Sequence, residues 1–516
     1  MNNFSLFFLI EINELYKNKK MSKFLVIIIY LIFISLGLPD SLLGSGWPVM
    51  QNYFGVNSSY AGYVSMTISA MTIISALFSA QITSRLKEKW VVIISIGLTV
   101  LGLILFSIAK NYWNLFLFAI PYGLGAGSID ASINNFVAIH YSSRVMNFLH
   151  CCYGIGSMIS PNIMALALKY KSWKEGYRWT AYVQIFILVI CIATLPLWNM
   201  NKKEDNKEKK EKENEDIKGD KENSKKEIEE SNNKIIKIEV HNKNKINNDL
   251  ENKEKDDGTK ETFEQKTMGG NKEDKIDEKE KKDEVMSICG VIKIKGVVFS
   301  CLAFFGYCSG EGTCFLWTSS FFKDTKDGLS EEAIASLSTT VFGGLMFGRL
   351  LSGLVSEKLG DKKLIRIGLI LEIIGIICIG IPVKTYILAI IGFILALIGM
   401  GPIYPSIQHL VPIFFGKVAS PTIIGLQMAS AYVGTTLMPF VFGLIQSKTS
   451  MWALPIYVGF FAILNCIFIE IEFYLCKNNN NNDTEKLEEN KEIDTKKDIN
   501  EIQENNEGNN KIKENN

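Results

Sequence analysis

The distribution of apolar residues constrains this chain more than any other feature. Hydrophobic residues make up 47% of its 516 positions, and nearly all lie in long runs inside two blocks, about 24–200 and 290–475. Each run is on the order of 18–25 residues, enough to cross a hydrocarbon layer of about 30 Å as a helix. Lipid offers the backbone no hydrogen bonds, so runs of this length specify helices. The pattern predicts spans at 24–43, 60–82, 90–109, 112–136, 146–168 and 179–199, then at 294–321, 334–356, 364–382, 384–409, 418–446 and 451–475. The expectation is an all-α membrane protein with twelve transmembrane helices.

Charge collects outside these runs. Lys17, Lys19, Lys20 and Lys23 precede span 1, Arg85, Lys87 and Lys89 follow span 2, and Lys358, Lys362, Lys363 and Arg366 follow span 8. The connection 44–59 has neither Lys nor Arg, so the positive-inside rule puts both termini in the cytoplasm of a multi-pass protein, expected in the plasma membrane. Lys169, Lys171, Lys174 and Arg178 run against that rule. Residues 201–287 and 477–516 are rich in Lys, Glu, Asn and Asp, a composition too poor in apolar area to offset ordering, and are expected to be disordered. The resulting division is 1–200, a first six-helix half; 201–287, a charged cytoplasmic linker; 288–476, a second half; and 477–516, a tail. Met1 and Met21 are both candidate starts. The net charge of +1 gives no reason to expect nucleic acid, and the ten cysteines form no CxxC pair. No metal spacing or nucleophile–base pair appears, so no enzyme activity, metal or cofactor is expected.

An internal repeat organises the two blocks. Gly125-Ala-Gly-Ser-Ile-Asp-Ala-Ser-Ile-Asn-Asn135 in span 4 parallels Gly399-Met-Gly-Pro-Ile-Tyr-Pro-Ser-Ile-Gln-His409 in span 10, sharing the frame GxGxIxxSI. Gly156 and Pro161 in span 5 parallel Gly434 and Pro439 in span 11, and Asp40 and Trp47 in span 1 parallel Glu311 and Trp317 in span 7. Near-constant offsets across three span pairs indicate two parallel six-helix repeats, an arrangement that places a binding site between the halves.

After span 8 the chain reads Gly353-Leu-Val-Ser-Glu357-Lys358-Leu-Gly360-Asp-Lys362-Lys363. This resembles the G-x-x-x-D-R/K-x-G-x-R/K-R/K loop signature of the major facilitator superfamily, with Glu357 for the usual Asp. The loop after span 2 keeps Arg85 and its lysines but loses the glycines and the acid. The stretches 36–48, 123–135, 144–161, 306–317 and 399–409 are similar to the fucose-permease-like group of that superfamily. The resemblance covers nearly all of the membrane part and implies the major facilitator fold and sugar transport with a cation.

Asp130 stands out among the polar residues, because a carboxylate within a membrane helix is costly and by default marks a function. Asn134 lies on the same helix face, with Asn135 beside it. The resemblance implies Asp130 in coupling, matches Asp40 to the family's first-span acid and gives His150 a sugar-contacting place. Pro39 should break span 1 beside Asp40. Glu311 sits between two glycines and joins the coupling candidates. Gln408, His409 and Gln427 are candidate solute contacts, and Trp317 either stacks on a sugar ring or anchors the interface. Gly353, Glu357, Lys358, Gly360, Lys362, Lys363 and Arg85 are the gating candidates. Glu372 has no counterpart in the repeat.

The expected function is a monomeric secondary transporter that moves a small polar solute, a monosaccharide, with H+ by alternating access. Its partners are the solute, the coupling cation and membrane lipid. Two alternatives stay open: efflux of drugs or metabolites, although span 5 lacks the GPxxGG run of many antiporters, and a membrane sugar sensor that signals through 201–287.

Overall fold

The structure, a computed structural model, describes residues 23–57, 60–195, 198 and 285–477. Met1–Leu195 with Asp283–Asn516 forms one unit and Pro196–Lys282 another. The expected linker and tail lie outside the described residues except for 285–287 and Lys477, as do Met1 and Met21.

In chain order the helices are α1 (Lys23–Gly37), α2 (Leu42–Phe54), α3 (Tyr60–Leu77), α4 (Ser79–Leu86), α5 (Glu88–Ser107), α6 (Tyr112–His140), α7 (Ser143–Tyr170) and α8 (Trp173–Ala193). They continue as α9 (Ile288–Ile292), α10 (Val297–Thr325), α11 (Glu331–Leu359), α12 (Asp361–Gly380), α13 (Ile387–Met400) and α14 (Ile403–Gln446). Helix α15 (Ala453–Lys477) is the last. No strand occurs among the described residues. Nine helical segments among them are long and apolar enough to cross a bilayer. One, Ile387–Gln446, is 60 residues long and turns at Gly416, whose φ of 79° suits glycine, so it supplies two crossings. Helices α11 and α12 have the length but carry Arg349, Arg366 and Glu372. These helices bear out the expected all-α membrane fold. Large apolar side chains cover the outside, Trp113 and Phe186 being 74% and 67% exposed, as suits a hydrocarbon solvent.

Several boundaries differ from expectation. Span 1 runs on to Phe54, with a break at 38–41 around Pro39. Leu42, Trp47 and Met50 of α2 are buried in a cluster with Phe106, Tyr112, Trp173 and Tyr177, which holds the extension against its neighbours. Span 2 is interrupted at Phe78, and span 6 starts at Trp173. Lys174 and Arg178 therefore belong to a helix end, where Lys174 Nζ donates to Tyr53 Oη at 2.9 Å and Arg178 pairs with Glu175 at 2.6 Å. These local partners give a physical reason for two of the four charges that run against the positive-inside rule.

The repeat motif explains the packing of both halves. A Cβ on Gly125 would lie 2.5 Å from the Ser95 carbonyl oxygen of α5, and one on Gly127 would lie 2.2 Å from that of Thr72 in α3. Their counterparts repeat the arrangement: Gly399 is pressed on Gly368 of α12 and Gly401 on Gly348 of α11. Spans 4 and 10 thus wedge between equivalent neighbours, and only glycine permits the approach.

Candidate functional site

Helix α6 opens with Asn111, whose side chain accepts from the Asn114 N–H at 3.1 Å, and it carries Asp130 into the middle of the bundle. Asp130 is buried and bonded on both oxygens. Oδ1 accepts from Asn134 Nδ2 at 2.8 Å, one turn along the same helix. Oδ2 accepts from Tyr432 Oη of α14 at 2.7 Å, which ties span 4 to span 11. The Asn134 amide oxygen is buried without a partner, while Asn135 Oδ1 accepts from Ser420 Oγ at 2.8 Å, again across to α14.

Around this link lie further polar groups. His150 of α7 faces Gln408 of α14, with Nε2 and Oε1 3.3 Å apart, and meets the rings of Phe33 and Tyr404 edge-on. The His150 carbonyl accepts from Arg349 Nη1 at 3.3 Å, and Arg349 Nη2 pairs with Glu311 Oε1 at 3.2 Å. Asp40, at the break in span 1, is exposed and accepts hydrogen bonds from the Tyr153 and Tyr122 hydroxyls. The structure therefore brings together Asp40, Asp130, Asn134, His150, Gln408 and Glu311, with a ring of tyrosines among them.

Other candidates lie elsewhere. Trp317 donates Nε1–H to the Pro439 carbonyl at 3.0 Å and packs on Gly443 and Phe442. Gln427 donates to Ser300 Oγ at 2.7 Å. His409, one residue past Gln408, points to a different seam, with Nδ1 2.7 Å from Asp361 and Nε2 3.1 Å from the Tyr141 carbonyl. In that seam Glu357 pairs with Arg144 at 3.0 Å, Ser143 donates to Asp361 at 2.5 Å, and Gly353 is pressed on Phe148. Gly360, with φ 75°, turns the chain between α11 and α12. Lys362 covers Phe414 at 4.8 Å, whereas Lys358, Lys363 and Arg85 are exposed.

Sequence reasoning missed Arg349, Tyr122, Tyr153, Tyr404 and Tyr432. Arg349 carried a signal, a cation inside an apolar run. Tyr404 carried another, since it occupies in the second repeat the place of Asp130 in the first. The remaining tyrosines had none.

A bundle of membrane-length helices around a polar centre has the form of a membrane carrier. Its sequence matches the Major Facilitator Superfamily over residues 29–327 and 299–499, and the chain belongs to that superfamily. It is a multi-pass membrane transporter and not an enzyme. No curated protein matches it significantly in sequence. Among solved structures it is similar to the Major Facilitator Superfamily transporter FucP in the outward conformation, at a TM-score of 0.61 and 12% identity over 87% of this chain and 98% of that one. A second structure, of a variant of the E. coli fucose:proton symporter FucP, gives 0.60 and 13% over 87% and 98%. The proton:xylose symporter XylE bound to 6-bromo-6-deoxy-D-glucose gives 0.60 and 12% over 88% and 94%. At these identities the likeness is one of fold.

Proposed function

We propose that this protein is a secondary active carrier of a monosaccharide-sized polar solute, coupled to H+ through Asp130. The observation that carries the reading is the pair of hydrogen bonds on Asp130, one to its own helix and one to Tyr432 across the central seam. A carboxylate accepts on both oxygens in charge-assisted bonds; once protonated it keeps one accepting oxygen and gains an O–H that the Tyr432 hydroxyl can accept, so both bonds remain but as weaker neutral ones. Protonation therefore weakens the tie between spans 4 and 11, and loss of the proton restores it. A coupling group needs that property, because a ligand shifts two conformations only by its different affinity for them.

Among the described residues, the contacts between 1–200 and 288–476, taken as two moving halves, run from the Arg144–Glu357 end to the level of Asp130 and Arg349. That end carries the basic loops, so the closed face is the cytoplasmic one and the solute enters opposite. Asp40 is exposed near the break in span 1 and offers a proton or hydroxyl site on that open side. His150, Gln408 and Asn134 supply donors and acceptors for hydroxyl groups, and Tyr404 with Phe33 supplies apolar ring faces. A polyhydroxylated ring suits such a mixture. Two of the solved proteins that share the fold are named as proton symporters of fucose and xylose, which supports the sugar and proton reading.

The test uses the purified chain in proteoliposomes with a panel of labelled monosaccharides. Asp130→Asn keeps an acceptor and a donor of the same size but cannot titrate. It is expected to exchange solute across the membrane at equilibrium and to lose accumulation driven by a proton gradient. Accumulation by that variant would remove Asp130 from the coupling role.

A further inference from the structure

Behind the central seam the helix break at Phe78 opens a second feature. Helix α3 ends at Leu77 and α4 resumes at Ser79, and beside this break a groove of about 250 Å³ runs between α3, α4 and α5 over α6. Its walls include Ile74, Phe78, Ile82, Leu86, Ile94 and Leu98. Two of the polar groups at its floor are already used: Ser75 Oγ lies 2.6 Å from both the Leu124 carbonyl and Ser128 Oγ. With eight apolar residues lining it, the groove suits a hydrocarbon chain. Phe78 and Ile94 on the rim are 52% and 46% exposed, so the groove opens toward lipid.

One end of the groove is not apolar. Leu86 is the last wall residue of α4, and around it lie Arg85, Lys87 and Lys89, with Glu88 the one acid in the turn. Lys87 is held at φ 67°, the sole described non-glycine residue with positive φ, and its N–H donates to the Thr83 carbonyl at 2.8 Å. The backbone thus fixes a cationic turn at the mouth of a hydrocarbon slot, with Trp90, 46% exposed, next in the chain. Cations and an indole at the level of the headgroups, above a slot for a chain, match an anionic phospholipid.

We propose that this groove is a binding site for one anionic phospholipid, an acyl chain lying along α4 and the phosphate at the Arg85–Lys89 turn. The opposite side of α3 and α4 belongs to the seam. Thr83 Oγ1 lies 2.5 Å from Ser132 Oγ of α6, and a Cβ on Gly425 of α14 would meet the Ala76 carbonyl at 2.5 Å and Ser79 Oγ at 3.2 Å. A lipid that fills the groove supports α4 against α14, so its binding favours the state in which this face is closed. By reciprocity, closing the face tightens the lipid. The groove is separate from the solute site and stands whichever solute is carried.

The experiment compares lipid retention by the full chain, purified from vesicles of phosphatidylcholine with one part in five phosphatidylglycerol, using native mass spectrometry. The natural sequence is expected to keep one phosphatidylglycerol in preference to phosphatidylcholine. Arg85→Gln with Lys87→Gln should lower that preference by at least about tenfold. Ile94→Trp, which fills the groove from its lipid-facing rim, should abolish retention; Leu98→Phe serves if that variant does not fold. Equal retention of the two lipids, an unchanged preference in the glutamine pair, or undiminished retention with the groove filled would each overturn the proposal. Retention of a neutral lipid alone would do so as well, because it would leave the basic turn without a role.

Discussion

Two carboxylates in the centre of this carrier, Asp130 buried and Glu311 partly buried, have opposite surroundings. Asp130 is held only by neutral donors, Asn134 and Tyr432, so its charge has no fixed counter-ion in the described contacts. Glu311 is paired with Arg349, which is 5% exposed and also reaches the His150 carbonyl. Removing one member of a buried pair leaves the other charge uncompensated, a loss of about 3–5 kcal/mol, whereas removing both together is far milder. Arg349→Met is therefore expected to lower the apparent melting temperature sharply, and Glu311→Gln with Arg349→Met to recover most of the loss. Equal melting of the single and double variants would show that Glu311 does not depend on Arg349. Asp130, Asn134, His150 and Gln408 were legible in the sequence because a polar residue inside an apolar run has few uses. The tyrosines were not, since tyrosine is common in membrane helices and only the fold shows whose carboxylate its hydroxyl reaches. His409 and Gln408 are adjacent in sequence yet point about 100° apart on a helix, and that angle sends His409 to Asp361 and Gln408 to His150.

At the level of elements, the repeated glycines carry the architecture. Gly125 and Gly127 let α6 seat between α5 and α3, and Gly399 and Gly401 do the same at α12 and α11. A methyl group at Gly127 meets the Thr72 carbonyl at 2.2 Å, and one at Gly401 meets the Gly348 carbonyl carbon at 2.5 Å. Neither neighbour is a flexible side-chain tip, so the helices must separate. Gly127→Ala and Gly401→Ala are each expected to cost about 1–3 kcal/mol, read as a lower melting temperature in detergent. Gly62, beside which a Cβ would meet nothing within 4 Å, is the control and should tolerate alanine. The frame GxGxIxxSI was visible in the sequence, and so were the spans it joins. The extension of span 1 through α2 was hidden, because Leu42, Trp47 and Met50 gain their burial from Phe106, Tyr112, Trp173 and Tyr177, far away in the chain. The interruption at Phe78 was hidden too, since neither glycine nor proline marks it.

For the whole molecule the question is what the long charged tract contributes. Helix α8 ends at Ala193 and α9 begins at Ile288, and residues 196–282 form a unit apart from the one that holds the site. Among the described residues, every side chain at the centre or in the seam lies outside that tract. A carrier that works by rocking one six-span set against the other needs the tract only as a tether long enough to join them. A sensor that signals through it needs its particular residues. Replacing residues 201–282 with a glycine–serine linker of about 30 residues provides a root-mean-square reach of roughly 30 Å and removes every charge in the interval. Solute accumulation in proteoliposomes is expected to continue at close to the rate of the natural sequence, because neither the Asp130–Tyr432 tie nor the Arg144–Glu357 seam has been altered. If the replaced protein still binds solute and melts normally but no longer transports it, the tract is part of the machinery and the tether reading is wrong.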